Sequence, residues 1–148
     1  MEKTFIRVRS VTDIVIFVTL IVLGSILIAL PTKTSLNITG FFMIFAGVIL
    51  SFVLKTGYKD KETGETYCKK EHYFQHEQNL AILAVIASKP ESIDLSAEDK
   101  GNSMRLDVYF NKSANKAYIQ LYEYVPYRYE PCSKMYEYQV DKVNKLIG

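Results

Sequence analysis

Hydrophobic positions are arranged in two different ways along this chain, and the change falls near residue 55. Residues 11–30 and 36–54 form nearly continuous apolar runs of 20 and 19 residues, dominated by Ile, Leu, Val and Phe. At about 1.5 Å of rise per residue, either run spans roughly 30 Å as a helix, the thickness of a bilayer's hydrocarbon core. A backbone crossing lipid must satisfy its own hydrogen bonds, and a helix does so within one segment. The pattern therefore predicts two transmembrane helices, 11–30 and 36–54. They are joined by the turn formers of Pro31-Thr32-Lys33-Thr34-Ser35 into an antiparallel hairpin.

Beyond residue 55 the apolar positions become periodic. Met104, Leu106, Val108 and Phe110 alternate with Arg105, Asp107 and Tyr109, and Ala117, Ile119 and Leu121 alternate with Tyr118, Gln120 and Tyr122. Both stretches read as strands with one buried face, paired as an antiparallel hairpin at 104–110/117–125. Glu123 falls on the apolar side of the second strand, so either the strand bends there ahead of Pro126 or the acid has a partner. Aromatic residues at intervals over 66–74 predict an earlier strand. The apolar octet before Lys89-Pro90 predicts a helix over 77–88 buried on more than one face. Tyr136, Val140, Val143 and Ile147 at helical spacing predict a final amphipathic helix over 133–147. The expected class is thus a two-helix transmembrane hairpin followed by a small α+β domain, in the order strand-helix-strand-strand-helix. Its divisions are an N-terminal arm (1–10), the hairpin (11–54), a juxtamembrane linker (55–66) and the α+β domain (67–148).

Charge sharpens this division. Of 34 charged residues, five lie in 1–13, one in 14–54 and 28 in 55–148, a segregation that points to two solvents. Lys3, Arg7 and Arg9 precede the first helix, and Lys55, Lys59, Lys61, Lys69 and Lys70 follow the second, whereas the loop between holds only Lys33. By the preference of Lys and Arg for the cytoplasmic side, both termini are expected in the cytoplasm, with Cys68 and Cys132 reduced. Residues 55–148 carry 14 basic and 14 acidic side chains, a balance that argues against nucleic acid as a partner. Asp13 and Lys33 are the only ionisable residues at the spans, both at the edges, which argues against a transport pathway.

Small residues four apart, Ser25 and Ala29 on the first helix and Gly47 and Ser51 on the second, are candidates for close helix packing, within the hairpin or against another copy of the chain. Cys68, His72 and His76 recur every four residues and would share a helix face, where zinc accepts sulfur and nitrogen. In a strand the three would spread over about 27 Å, too far for one ion, so no metal or other cofactor is expected. Phosphate-binding glycine loops and a serine nucleophile elbow are missing.

The most unusual local feature is tyrosine: seven of eleven lie between Tyr118 and Tyr138. Tyr118, Tyr122 and Tyr124 would occupy the strand face opposite Ile119 and Leu121, with Tyr127 and Tyr129 just beyond. A rigid apolar ring with a polar tip suits a protein interface. Tyrosine also has high strand propensity, and the chain itself can cover such a face. The expected function is a non-enzymatic, membrane-anchored protein that shows an interaction domain to the cytoplasm, as a small subunit or regulator of a membrane assembly. Two alternatives remain beside it. One is a metal- or thiol-dependent membrane enzyme using Cys68, His72, His76 or Cys132; the other is a protective protein of the immunity type.

Overall fold

The computed structural model describes residues 3–31, 34–99, 101 and 103–148. Contacts divide the chain into two compact units, one of residues 7–57 and one that combines the first six residues with residues 58–148.

The first unit is a pair of packed helices, α1 (Val11–Ala29) and α2 (Thr34–Val53). Both are long and apolar enough to cross a membrane. Thr32 and Lys33, the centre of the expected turn, lie outside the described residues. Ser10 caps α1: its hydroxyl accepts from the Asp13 N–H at 3.1 Å, and the Asp13 carboxylate accepts in return from the Ser10 N–H at 2.8 Å. This reciprocal arrangement satisfies two donors that a helix start otherwise leaves open. The same carboxylate, fully buried, also accepts from the Thr56 N–H at 2.8 Å and hydroxyl at 2.7 Å, which clasps the entry of α1 to the residues following α2. Sequence reading left Asp13 as a helix-edge residue, because its partner lies 43 positions away.

The helices approach through glycine. A Cβ at Gly24 would lie 2.6 Å from the Gly40 carbonyl oxygen, one at Gly40 would lie 2.7 Å from the Gly24 oxygen, and one at Gly47 would lie 2.8 Å from Ile21. The two backbones therefore touch at the Gly24/Gly40 crossing, closer than any larger residue permits. Of the four small residues named for close packing within the hairpin or against another copy, Gly47 lies at the internal seam. Ser25 and Ala29 are exposed, and the Ser25 hydroxyl donates to the Ile21 carbonyl of its own helix. Ser51 is half-buried and donates to its own Val48 carbonyl. Single glycines outrank spaced pairs here because the tightest point needs no Cβ on either side.

The second unit is built on an antiparallel sheet with helices. The strands of this sheet among the described residues are β1 (Phe5–Val8), β2 (Gly57–Asp60), β3 (Thr66–Phe74), β4 (Met104–Asn111), β5 (Lys116–Val125), β6 (Arg128–Pro131) and β7 (Tyr136–Tyr138), in the order β1-β2-β3-β4-β5-β6 with β7 also on β5. The β4/β5 ladder has the expected register, with Leu106 opposite Leu121 and Val108 opposite Ile119. Phe74, Met104, Leu106, Val108, Ile119 and Leu121 form the core together with Ile82 and Ile86 of α3 (Asn79–Ile86), Ile93, and the C-terminal residues Val140, Val143 and Leu146.

Three expectations are corrected. The strand-helix-strand-strand-helix order is too simple, because β1, β2, β6 and β7 join the sheet. The arm contributes β1 and the linker contributes β2, so the helical hairpin is, in chain order, an insertion between two strands of one sheet. The final helix over 133–147 shrinks to a 3-10 turn at Val140–Val143 and α4 (Asn144–Ile147). Tyr136 and Tyr138 instead pair with Ile119 and Ala117 on β5, where aromatic side chains fit a pleated surface better than a helix. Finally, α3 buries one face only, through Ile82 and Ile86, and Leu80 stands 80% exposed. Glu123 causes no bend, since β5 runs on to Val125; the acid has a partner in His76, whose Nδ1 lies 3.2 Å from its Oε1.

Candidate functional site

The sheet face away from α3 carries charged and aromatic side chains that the main core does not use. Period two places Lys69, Glu71 and Tyr73 of β3, Arg105, Asp107 and Tyr109 of β4, and Tyr118, Gln120, Tyr122 and Tyr124 of β5 on it. These align in rows across the strands: Tyr73, Arg105 and Tyr122; Glu71, Asp107 and Gln120; Lys69, Tyr109 and Tyr118.

One end of the face is an aromatic cluster. Phe5 stacks on Tyr109 at 4.1 Å between ring centroids, and Tyr67 meets Tyr118 edge-on at 5.6 Å. Tyr67, Tyr109 and Tyr118 are buried, with Phe5, Tyr58 and Met135 packed against them. The arm is held over this cluster by Lys3, whose ammonium donates to the Asp60 carboxylate at 2.6 Å. Burial by itself would push the Asp60 carboxyl up; hydrogen bonds from Lys3, the Glu62 N–H and the Thr63 hydroxyl outweigh it and hold the group below its ordinary range. The same hydrogen bond to Asp60 holds the Lys3 ammonium above its ordinary value.

The middle is ionic. Glu71 and Asp107 sit directly opposite each other, a repulsive cross-strand pair. Lys69 resolves the repulsion by bridging both carboxylates, at 2.5 Å to Glu71 and 2.8 Å to Asp107, and Arg105 Nε lies 2.8 Å from the other Asp107 oxygen. Asp107 is 1% exposed, so burial pushes its carboxyl up despite the two cations. At Glu71 burial is outweighed by the hydrogen bonds from Lys69 and the Tyr73 hydroxyl, and its carboxyl is held down. Arg105 is sandwiched between rings, 5.0 Å from the Tyr122 centroid and 4.3 Å from that of Tyr129, a geometry in which the guanidinium meets the negative ring faces.

The far end is open. β5 and β6 are joined by the two residues Pro126-Tyr127, with Val125 opposite Arg128. Proline followed by a residue with positive φ is the pattern of a type II turn, and Tyr127 takes that position at φ +73°, where glycine is favoured. It is 97% exposed and Tyr124 is 49% exposed; Tyr124 meets Tyr129 edge-on at 5.3 Å. The five tyrosines expected to form one surface are thus divided. Tyr118 belongs to the buried cluster, Tyr122 and Tyr129 clamp Arg105, and Tyr124 and Tyr127 face solvent.

Cys68, His72 and His76 do not converge. Cys68 is exposed on β3, His72 is buried with Nδ1 3.1 Å from Glu98 and Nε2 2.7 Å from the Leu146 carbonyl, and His76 faces Glu123. Among the described residues no three metal-ligating side chains meet. Cys132 is half-buried, and burial pushes its thiol up, away from the thiolate that nucleophilic chemistry requires. The ionic centre Lys69/Arg105/Asp107 escaped sequence reading, which took Arg105 and Asp107 as the solvated side of a strand. The available signal was an aspartate at mid-strand with tyrosines closely following.

By fold, the described residues form a seven-stranded antiparallel sheet with short helices, combined with two long apolar helices. No protein family, curated protein or solved structure matches the chain.

Proposed function

We propose that this is a non-enzymatic membrane-anchored protein whose sheet domain recognises a protein partner through the β5–β6 hairpin. Tyr124 and Tyr127 make the contact, and the Arg105-clamped Tyr129 supports them. The observation that carries this reading is Tyr127. A bulky residue at positive φ costs on the order of 1 kcal/mol or more, and an almost wholly exposed ring recovers none of that inside the chain. A rigid, solvent-facing aromatic beside a second one is the usual anchor of a protein interface.

Anchoring is supported by the surfaces of α1 and α2. Only 11% of each apolar window is buried, unlike a soluble core helix, and the exposed residues include Phe41, Phe42, Phe45 and Phe52. In this reading both helices cross the bilayer and both termini lie in the cytoplasm. Cys68, which is exposed, should then react with an impermeant thiol reagent only after sealed cells are opened; labelling of intact cells would reverse the orientation.

A photo-crosslinking residue in place of Tyr127 should give one adduct of fixed mass in intact membranes. The same residue at Lys112, in the turn at the opposite end of β5, should give none. Equal adduct patterns at both positions would end the recognition reading.

A further inference from the structure

We propose that α3 is a self-association surface, and that its occupant is α3 of a second copy of this chain, aligned antiparallel about a two-fold axis. This goes beyond recognition by the tyrosine hairpin, since it uses a different face of the sheet domain.

The outward side of α3 is apolar although its neighbours within the chain do not cover it. Leu80 is 80% exposed, and Ala81, Ala84 and Ala87 are exposed along the same side. A cleft of about 180 Å³ runs along the flank of α3, lined by Phe74, Ala81, Ile82, Val85 and Ile93 together with the polar Gln78, Ser92 and Asp94. A two-fold interface needs a self-complementary patch, because each copy offers the same surface, and an apolar strip with opposite charges at its two ends meets that need.

Charge selects the same arrangement. Glu77 is exposed just before α3 and Lys89 is exposed just after it, and neither takes part in an ion pair among the described residues. In an antiparallel pair whose axis passes level with Leu83, each Glu77 meets the partner copy's Lys89. Leu80 then falls at the level of the second copy's Ala84 and Ala87, and these alanines let the helix axes come close. Parallel alignment would set like charges together. The patch is small, so its affinity in free solution is low. Confinement of both copies to one membrane supplies the effective concentration that the contact needs.

The test uses the full-length chain in its membrane, with Cys68→Ser and Cys132→Ser to remove native thiols. Ala84→Cys, nearest the axis on the outward side, should form a disulfide-linked dimer on mild oxidation, whereas Ser113→Cys in the β4–β5 turn should not. Glu77→Lys or Lys89→Glu added to Ala84→Cys should each reduce the dimer about tenfold, equivalent to about 1.4 kcal/mol. The combined swap should restore it, which a failure to fold would not do. Leu80→Glu should also abolish the dimer and leave the melting temperature unchanged. The proposal is overturned if Ala84→Cys dimerises no better than Ser113→Cys, or if the combined swap does not rescue. Protection of the Ala84→Cys thiol from a water-soluble reagent without dimer formation would give the face to lipid or another protein, and would equally overturn it. Loss of crosslinking at Tyr127 leaves each of these outcomes unchanged.

Discussion

Tyr127 and Asp60 show how far a single side chain can be pushed by its surroundings. At φ +73° a tyrosine pays for its conformation without burying its ring, whereas glycine would adopt the same backbone freely. Tyr127→Gly should therefore stabilise the sheet domain by about 1 kcal/mol in denaturant titration. Partner crosslinking from a probe at Tyr124 should fall in the same variant. A destabilised Tyr127→Gly would mean that the ring makes a stabilising contact after all. Asp60 is the opposite case, a buried carboxylate held down by its hydrogen bonds to Lys3, Glu62 and Thr63. Its folded value lies below its unfolded one, so its contribution is complete above about pH 4 and disappears as pH falls through the folded value. Lys3 has a folded value above its unfolded one; its contribution is complete below about pH 10 and disappears as pH rises through the folded value. Stability measured against pH should lose its acid limb in part in Asp60→Asn, with the slope between pH 5 and 2 flatter than in the parent chain.

At the scale of elements, the helical hairpin depends on the absence of side chains at two positions. A Cβ at either Gly24 or Gly40 meets a backbone oxygen of the other helix at 2.6 to 2.7 Å, and a carbonyl oxygen has no rotamer by which to move aside. Gly24→Val or Gly40→Val should separate the helices and cost about 1–3 kcal/mol, the usual range for overpacking. Ser25→Val, on an exposed position, should cost nothing measurable. The contrast can be read from the protease resistance of the hairpin in detergent, and equal behaviour of the three variants would remove the glycine crossing as its cohesive point. The sheet shows how elements correct one another: Glu71 and Asp107 repel across β3 and β4, and Lys69 and Arg105 make that pairing tolerable.

For the whole molecule, the notable fact is that the first strand and the second are separated in the chain by the entire hairpin, yet both belong to one sheet. Phe5, stacked on Tyr109 and edge-on to Tyr67 at 5.4 Å, is the arm's main contribution to packing. Phe5→Ala should destabilise the sheet domain by roughly 1–3 kcal/mol, the worth of one aromatic side chain's partial burial. An unchanged melting temperature would show that the arm is dispensable.

Long apolar runs, the alternation over 104–125 and the segregation of charge are local properties, because each depends on residues within one element facing one solvent. They were sufficient to define two helices able to cross a membrane and the central β4/β5 hairpin, with bounds within about two residues. Tertiary structure alone decided the rest. Tyr136 had helical spacing with Val140, Val143 and Ile147, and the open edge of β5 drew it into a strand together with Tyr138. Arg105 and Asp107 looked solvated, and partners on β3, β5 and β6 buried the aspartate and half-covered the arginine. Of five similar tyrosines, pairing register placed one in a core, two around a guanidinium and two in solvent. Periodicity states which residues share a face. Whether that face meets water, a side chain or a second layer depends on segments far away in sequence, and only the folded chain brings those into contact.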